Sequence, residues 1–278
     1  MTTDTATTAS TDSQRRLSIP PWATGLAGGL LLIGLWWLLA ATVFSSVGPA
    51  GVQAIPTPPD VVRSFADDGW SFYVNNFRVS LTEAGIGYLW GNGLALVLSA
   101  LVLVIPRLEP VIMQVAIITY CIPIVAIGSL AVVIIGAPDV GSPSGTAIFL
   151  AALSCFFTTV VGALLGLKSA DRASLDLITV YGGTKLTQLV KVRMIAALPA
   201  TLNALQIAVP AAFLGAVLGE FFGKVEMGVG AAMVIAQQQL NAPRVWALAL
   251  ASGFVALLCF MLVGLIARAI APWSRGEG

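Results

Sequence analysis

Long apolar stretches separated by short polar ones make up most of this chain. Six stretches approach or exceed the roughly 20 apolar residues that a membrane-crossing helix requires. The first is about Trp22 to Phe44, with Trp36 and Trp37 inside it. The second ends at Ile105, before Pro106, and its apolar period reaches back past Arg78 to Phe77. The third is Pro110 to Ile135, and Pro123 at its middle predicts a kink, because proline removes a backbone donor. The fourth is Gly145 to Leu167, the fifth Ala196 to Phe222 with Pro210 inside, and the sixth Val245 to Ala271.

The polar stretches predict the connections. Ser45 to Phe72 is proline-rich and acidic, and reads as a loop with one short helix from Asp60. Pro106 to Glu109 is a tight turn, and Gly136 to Ser144 is rich in turn residues. Gly223 to Pro243 is a loop whose apolar part, Val229 to Ala236, dips back toward the membrane. The fold class expected is an all-α membrane protein with six transmembrane helices. Residues 1–20 form a disordered cytoplasmic tail, 21–72 the first span and its loop, 73–272 a core of spans two to six, and 273–278 a second tail.

Composition agrees with that pattern. Of 278 residues 58% are hydrophobic and 10% charged, against about 25% charged in soluble domains. The net charge is +1 and no basic, aromatic-rich patch is present, so nucleic acid is not an expected partner; membrane lipid is. Histidine is absent, which removes the usual general base and the commonest metal ligand. Cys121, Cys155 and Cys259 lie far apart inside apolar runs and read as small buried hydrophobes, not as a metal or redox site. Arg15-Arg16 precedes a run too long and too rich in tryptophan for an export signal, so it reads as an uncleaved first span.

Charge also orients the spans. With the N-terminus inside, Arg15, Arg16, Arg107, Lys168, Arg172, Lys185, Lys191, Arg193, Arg268 and Arg275 are cytoplasmic. Only Arg63, Arg78, Lys224 and Arg244 then lie outside, as the positive-inside rule requires. Glycines four apart recur at Gly25/Gly29, Gly87/Gly91, Gly162/Gly166 and Gly215/Gly219, each allowing close helix approach. Internal packing is the ordinary use of such faces, and contact with a second membrane subunit is the sharper one.

The longest polar interruption, Asp176 to Pro199, carries Lys185, Lys191 and Arg193, which cannot all be buried in hydrocarbon. Its pattern is a short helix over Ala173 to Tyr181, a Gly182-Gly183 break, a second amphipathic turn, and Leu198-Pro199 opening the next span. Leu175, Ile178 and Tyr181 recur every three residues and form one apolar face. An exposed apolar face on a cytoplasmic helix calls for a partner groove.

This segment resembles the signature loop of ABC importer permeases, the binding-protein-dependent inner-membrane components. That loop reads Glu-Ala-Ala, three residues, Gly, then a gap closing in Leu-Pro. Asp176 stands at the glutamate, Gly182 at the glycine and Leu198-Pro199 at the close, while Leu177 and Ile178 replace the alanines. The resemblance extends from Ile55 to Trp273 and is greatest to the nitrate, sulfonate and taurine branch, which has a segment similar to Ile55 to Val62.

The resemblance implies a permease subunit in the bacterial inner membrane, not itself an enzyme, with a cytoplasmic coupling helix between spans four and five. Its partners would be ABC ATPase subunits that bind ATP and Mg, a second permease (the same chain or a paralogue) and an extracytoplasmic solute-binding protein. Coupling would run through residues 171–193, with Leu175, Asp176, Ile178, Tyr181, Gly182, Gly183, Thr184 and Lys185 at the ATPase.

The rest of the chain offers little catalytic chemistry. No phosphate-binding glycine loop occurs, since Gly182-Gly183-Thr184-Lys185 lacks the upstream glycine and the required order. Mid-depth positions carry no Asp, Glu, Lys or Arg, which disfavours a proton-coupled carrier. The uncharged polar residues at middle depth, Tyr120, Ser154, Thr158, Asn203 and Gln206, are candidates for a translocation path or for packing within the bundle. At about 1.5 Å rise per residue Glu83 lies about 34 Å from Pro106, near the outer interface. Glu220 falls there too, and the pair are candidates for an outer gate. Glu220 is also spaced to pair with Lys224 on one helix face. A secondary carrier or channel, or a non-transporting membrane scaffold, are the alternative functions.

Overall fold

A computed structural model of the chain describes residues 20–48, 53–139, 142–223 and 225–273. All regular structure among them is helical. Helix α1, Pro21–Ala41, begins with proline in its first turn, where no donor is lost. It touches the rest of the protein chiefly through Trp36, stacked on Trp246 at 5.4 Å, and through its Ala40 carbonyl, which accepts from Gln53.

Helix α2, Pro58–Val104, is longer than its apolar run. Thr57 and Asp60 form a capping box, and Pro58 and Pro59 occupy the first turn. The expected loop over Ser45 to Phe72 is therefore helical from Pro58 onward. The chain turns only at Gly69 (φ 75°, ψ 157°), a conformation that other residues adopt at a cost. The two limbs of this break are tied down from a distant helix. Arg244 Nε donates to Asp68 Oδ1 at 2.8 Å, the Tyr73 hydroxyl donates to Asp68 Oδ2 at 3.2 Å, and the Arg244 guanidinium lies over the Phe72 ring.

A short 3₁₀ turn, Pro106–Leu108, leads to α3, Glu109–Cys121, and α4, Ile124–Ile135. The expected kinked third span is in fact two helices bent by 92°. The cause is local: the residue before a proline is driven out of the helical region. Ile122 is extended (ψ 128°), and Pro123 caps α4 instead of continuing α3.

Helix α5, Gly145–Lys168, is capped by the Ser144 hydroxyl, which accepts from the Ala147 amide. Helix α6, Arg172–Val180, and the four-residue α7, Lys185–Gln188, follow. A π-turn, Leu189–Arg193, then joins α7 to α8, Met194–Phe222. Leu198-Pro199 lies in the second turn of α8 rather than at its first residue, and the helical path runs back through the π-turn to Lys185. Helices α9, Val229–Gln238, and α10, Ala242–Ile270, complete the described chain.

Five of these helices are long and apolar enough to cross a membrane, and six spans result if the bent α3–α4 pair counts as one. The core is α2, α5 and α8, and small residues set its spacing. A Cβ on Gly91 would lie 2.6 Å from Cys155 Sγ, and one on Gly87 would lie 2.6 Å from the Ile148 carbonyl. Gly166 meets Ala197, and Gly219 meets Ala147, equally closely. Three of the four glycine pairs are therefore internal packing. Gly25 and Gly29 on α1 face open space.

Candidate functional site

The segment between α5 and α8 is built as a rigid hairpin. Asp171 caps α6 by accepting from the Ser174 amide at 3.2 Å. At the other end Gly182 takes a left-handed conformation (φ 76°). Its N–H donates to the Thr179 carbonyl at 3.0 Å, and Gly183 N–H donates to the Ile178 carbonyl at 2.8 Å. These two bonds are the Schellman closure that satisfies carbonyls at a helix end. Gly183 is needed for a different reason: a Cβ there would lie 2.8 Å from the Ile178 carbonyl oxygen.

Thr184 then caps α7, accepting from the Thr187 amide. Gln188 fastens the hairpin shut. Its side-chain amide donates to the Leu175 carbonyl at 3.0 Å and to Thr179 Oγ1 at 2.7 Å. Sequence spacing does not single out Gln188, because a mid-depth glutamine and a loop glutamine look alike until the hairpin closes.

The apolar face of α6 differs from the expected one. Leu175 and Ile178 are half-buried, and the Ile178 side chain lies against Gly183. The side chains left in the open are Leu177 (57% exposed), Val180 (83%) and Tyr181 (83%). Spaced i, i+3 and i+4, they share one face. Asp176, Gly182, Thr184 and Lys185 are exposed beside it, and Gly183 is half-buried.

A second constellation lies at the opposite end of α5, about 36 Å away along that helix. Glu83 on α2 and Glu220 on α8 are each only 1% exposed. Glu83 Oε1 accepts from Ser144 N–H, and Glu220 Oε2 from Gly230 N–H, both at 2.6 Å. Asn76 accepts from Gly228 N–H at 3.0 Å, and Ser80 accepts from Val229 N–H at 2.9 Å. The first turn of α9 is thus satisfied by side chains of α2 and α8, as orphan amides at a helix start require. The expected partner Lys224 lies outside the described residues. Asn76 and Ser80 are not legible as functional in the sequence, because nothing in their spacing shows that a loop returns to meet them.

The mid-depth polar residues do not converge. Tyr120 is exposed and stacked on Phe157 at 4.5 Å. Ser154 donates to its own helix at the Leu150 carbonyl, beside Gly215. Gln206 lies against Gly264 of α10. Thr158 is half-buried and Asn203 exposed. A buried polar contact also crosses the α5–α2 seam, where Thr159 donates to Asn92.

Residues 91–276 match the family model of the binding-protein-dependent transport system inner membrane component. The chain belongs to this family. Individual relatives agree over nearly the full length. A probable ABC transporter permease of Haemophilus influenzae is 30% identical over 250 residues, covering 90% of this chain and 96% of its own. A formylaminopyrimidine transport permease of Halalkalibacterium halodurans is 26% identical, covering 89% and 94%. A putative aliphatic sulfonates transport permease of Bacillus subtilis is 26% identical, covering 91% and 88%.

The protein is thus the multi-pass membrane permease subunit of an ABC import system, and such permeases work with ATPase and binding-protein partners in general. In this permease the departures from the signature pattern have distinct structural places. Leu177 adds to the exposed face of α6, whereas Ile178 fills the space over Gly183.

Proposed function

We propose that α6 is the coupling helix through which ATP-driven movement of partner ATPase subunits reaches this permease. One observation carries the reading: Leu177, Val180 and Tyr181 form an exposed apolar face on a helix locked at both ends and fastened to α7 through Gln188. Such a face gains by entering a groove on another chain. Because α7 runs into α8 without a break, a push on α6 is transmitted to the core helix directly. The chain's own part is mechanical, and ATP with its Mg would be bound and hydrolysed in the partner.

In this reading the α6 hairpin and the N-terminus are cytoplasmic, and the Glu83–Glu220 joint lies at the outer face, where the solute-binding protein would dock. The pathway forms with a second permease, and the open α1 face bearing Gly25 and Gly29 is available to it. The named relatives point to small organic solutes such as sulfonates or pyrimidines as the substrate class.

Co-purification with the cognate ATPase tests the proposal. Tyr181→Asp and Val180→Asp should abolish ATPase retention while the permease still reaches the membrane. Retention by both variants would sink the reading. A reporter fused after Lys185 should be cytoplasmic, and a periplasmic signal would overturn the orientation.

A further inference from the structure

The Glu83–Glu220 joint holds more acid than its surroundings can balance. Each carboxyl group has one oxygen bonded to a backbone N–H. The other two oxygens, Glu83 Oε2 and Glu220 Oε1, are buried and receive no donor from the rest of the described protein. The two side chains lie close enough for their charges to act on each other, and the nearby Ser80 hydroxyl gives its one hydrogen to the Asn76 carbonyl at 3.3 Å. Two ionised carboxylates have no hydrogen to place between them. Like charges in so dry a contact are relieved when only one ionises.

The charges around the joint favour the same state. The two carboxyl groups sit at the starts of two helices, α5 and α9. Each helix start contributes roughly +0.5 of an elementary charge. Two such ends balance one negative charge and leave a second uncompensated. Among the described residues, no lysine or arginine is ion-paired with either glutamate.

We infer that Glu83 and Glu220 share a single proton, so that the pair is a monoanion bridged by one O–H···O bond. The protonated member donates to the ionised one and fastens α2 to α8. The remaining oxygens hold the starts of α5 and α9. The proton is thus a structural cross-link that keeps the helix α9 seated on the bundle. This inference rests on the joint's own geometry and stands apart from the role assigned to α6.

Infrared spectroscopy of the full-length protein in lipid tests it. With isotope-labelled glutamate, the wild type should show a label-shifted carbonyl band of a protonated carboxylic acid, equivalent to one group per chain. Glu83→Gln and Glu220→Gln should each remove that band. Each should keep an unfolding midpoint close to the parent's, because the amide can replace the O–H donor. The double Gln variant should unfold at a clearly lower temperature, since both helix starts lose their anion. Absence of the band from the wild type overturns the inference without any variant; that is the result expected if Lys224 or a bound cation balances two ionised carboxylates. Survival of the band in both single variants overturns it as well.

Discussion

Gly91 shows how much of this protein hangs on the absence of a side chain. Its backbone touches α5 so closely that a Cβ would lie 2.6 Å from Cys155 Sγ and 2.8 Å from the Ala152 Cα. Overpacking of this kind costs about 1–3 kcal/mol or more. Gly91→Val should therefore lower the thermal midpoint of the purified permease and broaden its size-exclusion peak. Gly25→Val, on a face with nothing of this chain within 4 Å, should leave the thermal midpoint unchanged. The two glycines look identical in sequence, each one of a pair spaced by four. Only the neighbouring helix distinguishes them. Gly182 is a different case, legible in the sequence itself because a glycine pair after a helical period signals a left-handed cap. Gly182→Val would place a β-branched residue at φ 76°, which costs about 1–2 kcal/mol. It should loosen the hairpin and reduce ATPase retention.

At the scale of elements, the outline of the α6 hairpin is legible in the sequence, but its exposed face is not. Three-residue spacing puts Leu175, Ile178 and Tyr181 together. The hairpin fold half-buries the first two and leaves Leu177 and Val180 out with Tyr181. A nine-residue helix depends on its caps. Asp171→Ala removes the bond to Ser174 and should cost about 0.5–2 kcal/mol. The expected result is a weaker ATPase complex with unchanged membrane insertion, read by detergent-solubilised pull-down. The α3–α4 corner differs from expectation in degree. Proline at 123 predicts a kink, but the extended Ile122 turns it into a 92° break. The size of a bend depends on the residue before the proline and on what the following helix packs against.

For the whole molecule, two ionic contacts far apart in sequence should behave oppositely. The Asp68 side chain is buried and receives Arg244 from a helix 176 residues later. Arg244→Ala leaves that carboxylate unpaired, and breaking a buried pair costs about 3–5 kcal/mol. The thermal midpoint should fall strongly, and Asp68→Asn in the same chain should recover part of it. Lys168 and Glu109 also pair, between α5 and α3, but neither side chain is buried as Asp68 is: Lys168 is 57% and Glu109 30% exposed. Lys168→Ala should cost about 0–1 kcal/mol, because surface pairs are screened. A thermal-shift comparison of the two variants decides whether the α2–α10 clamp holds the molecule as described.

The chain by itself determined the membrane class, the places of the apolar runs, the polar hairpin between the fourth and fifth spans, and the family. Those follow from composition and short-range spacing, which act within a few residues. It also brought Glu83 and Glu220 to the same end of the bundle by simple helix rise. What only the tertiary structure decided was contact. Glu83 and Glu220 each accept from the start of a helix, and Asn76 and Ser80 hold α9. The exposed face of α6 is Leu177, Val180 and Tyr181. Each of these depends on how one helix is rotated against another, and rotation is set by close packing around glycine and alanine, which no local pattern records.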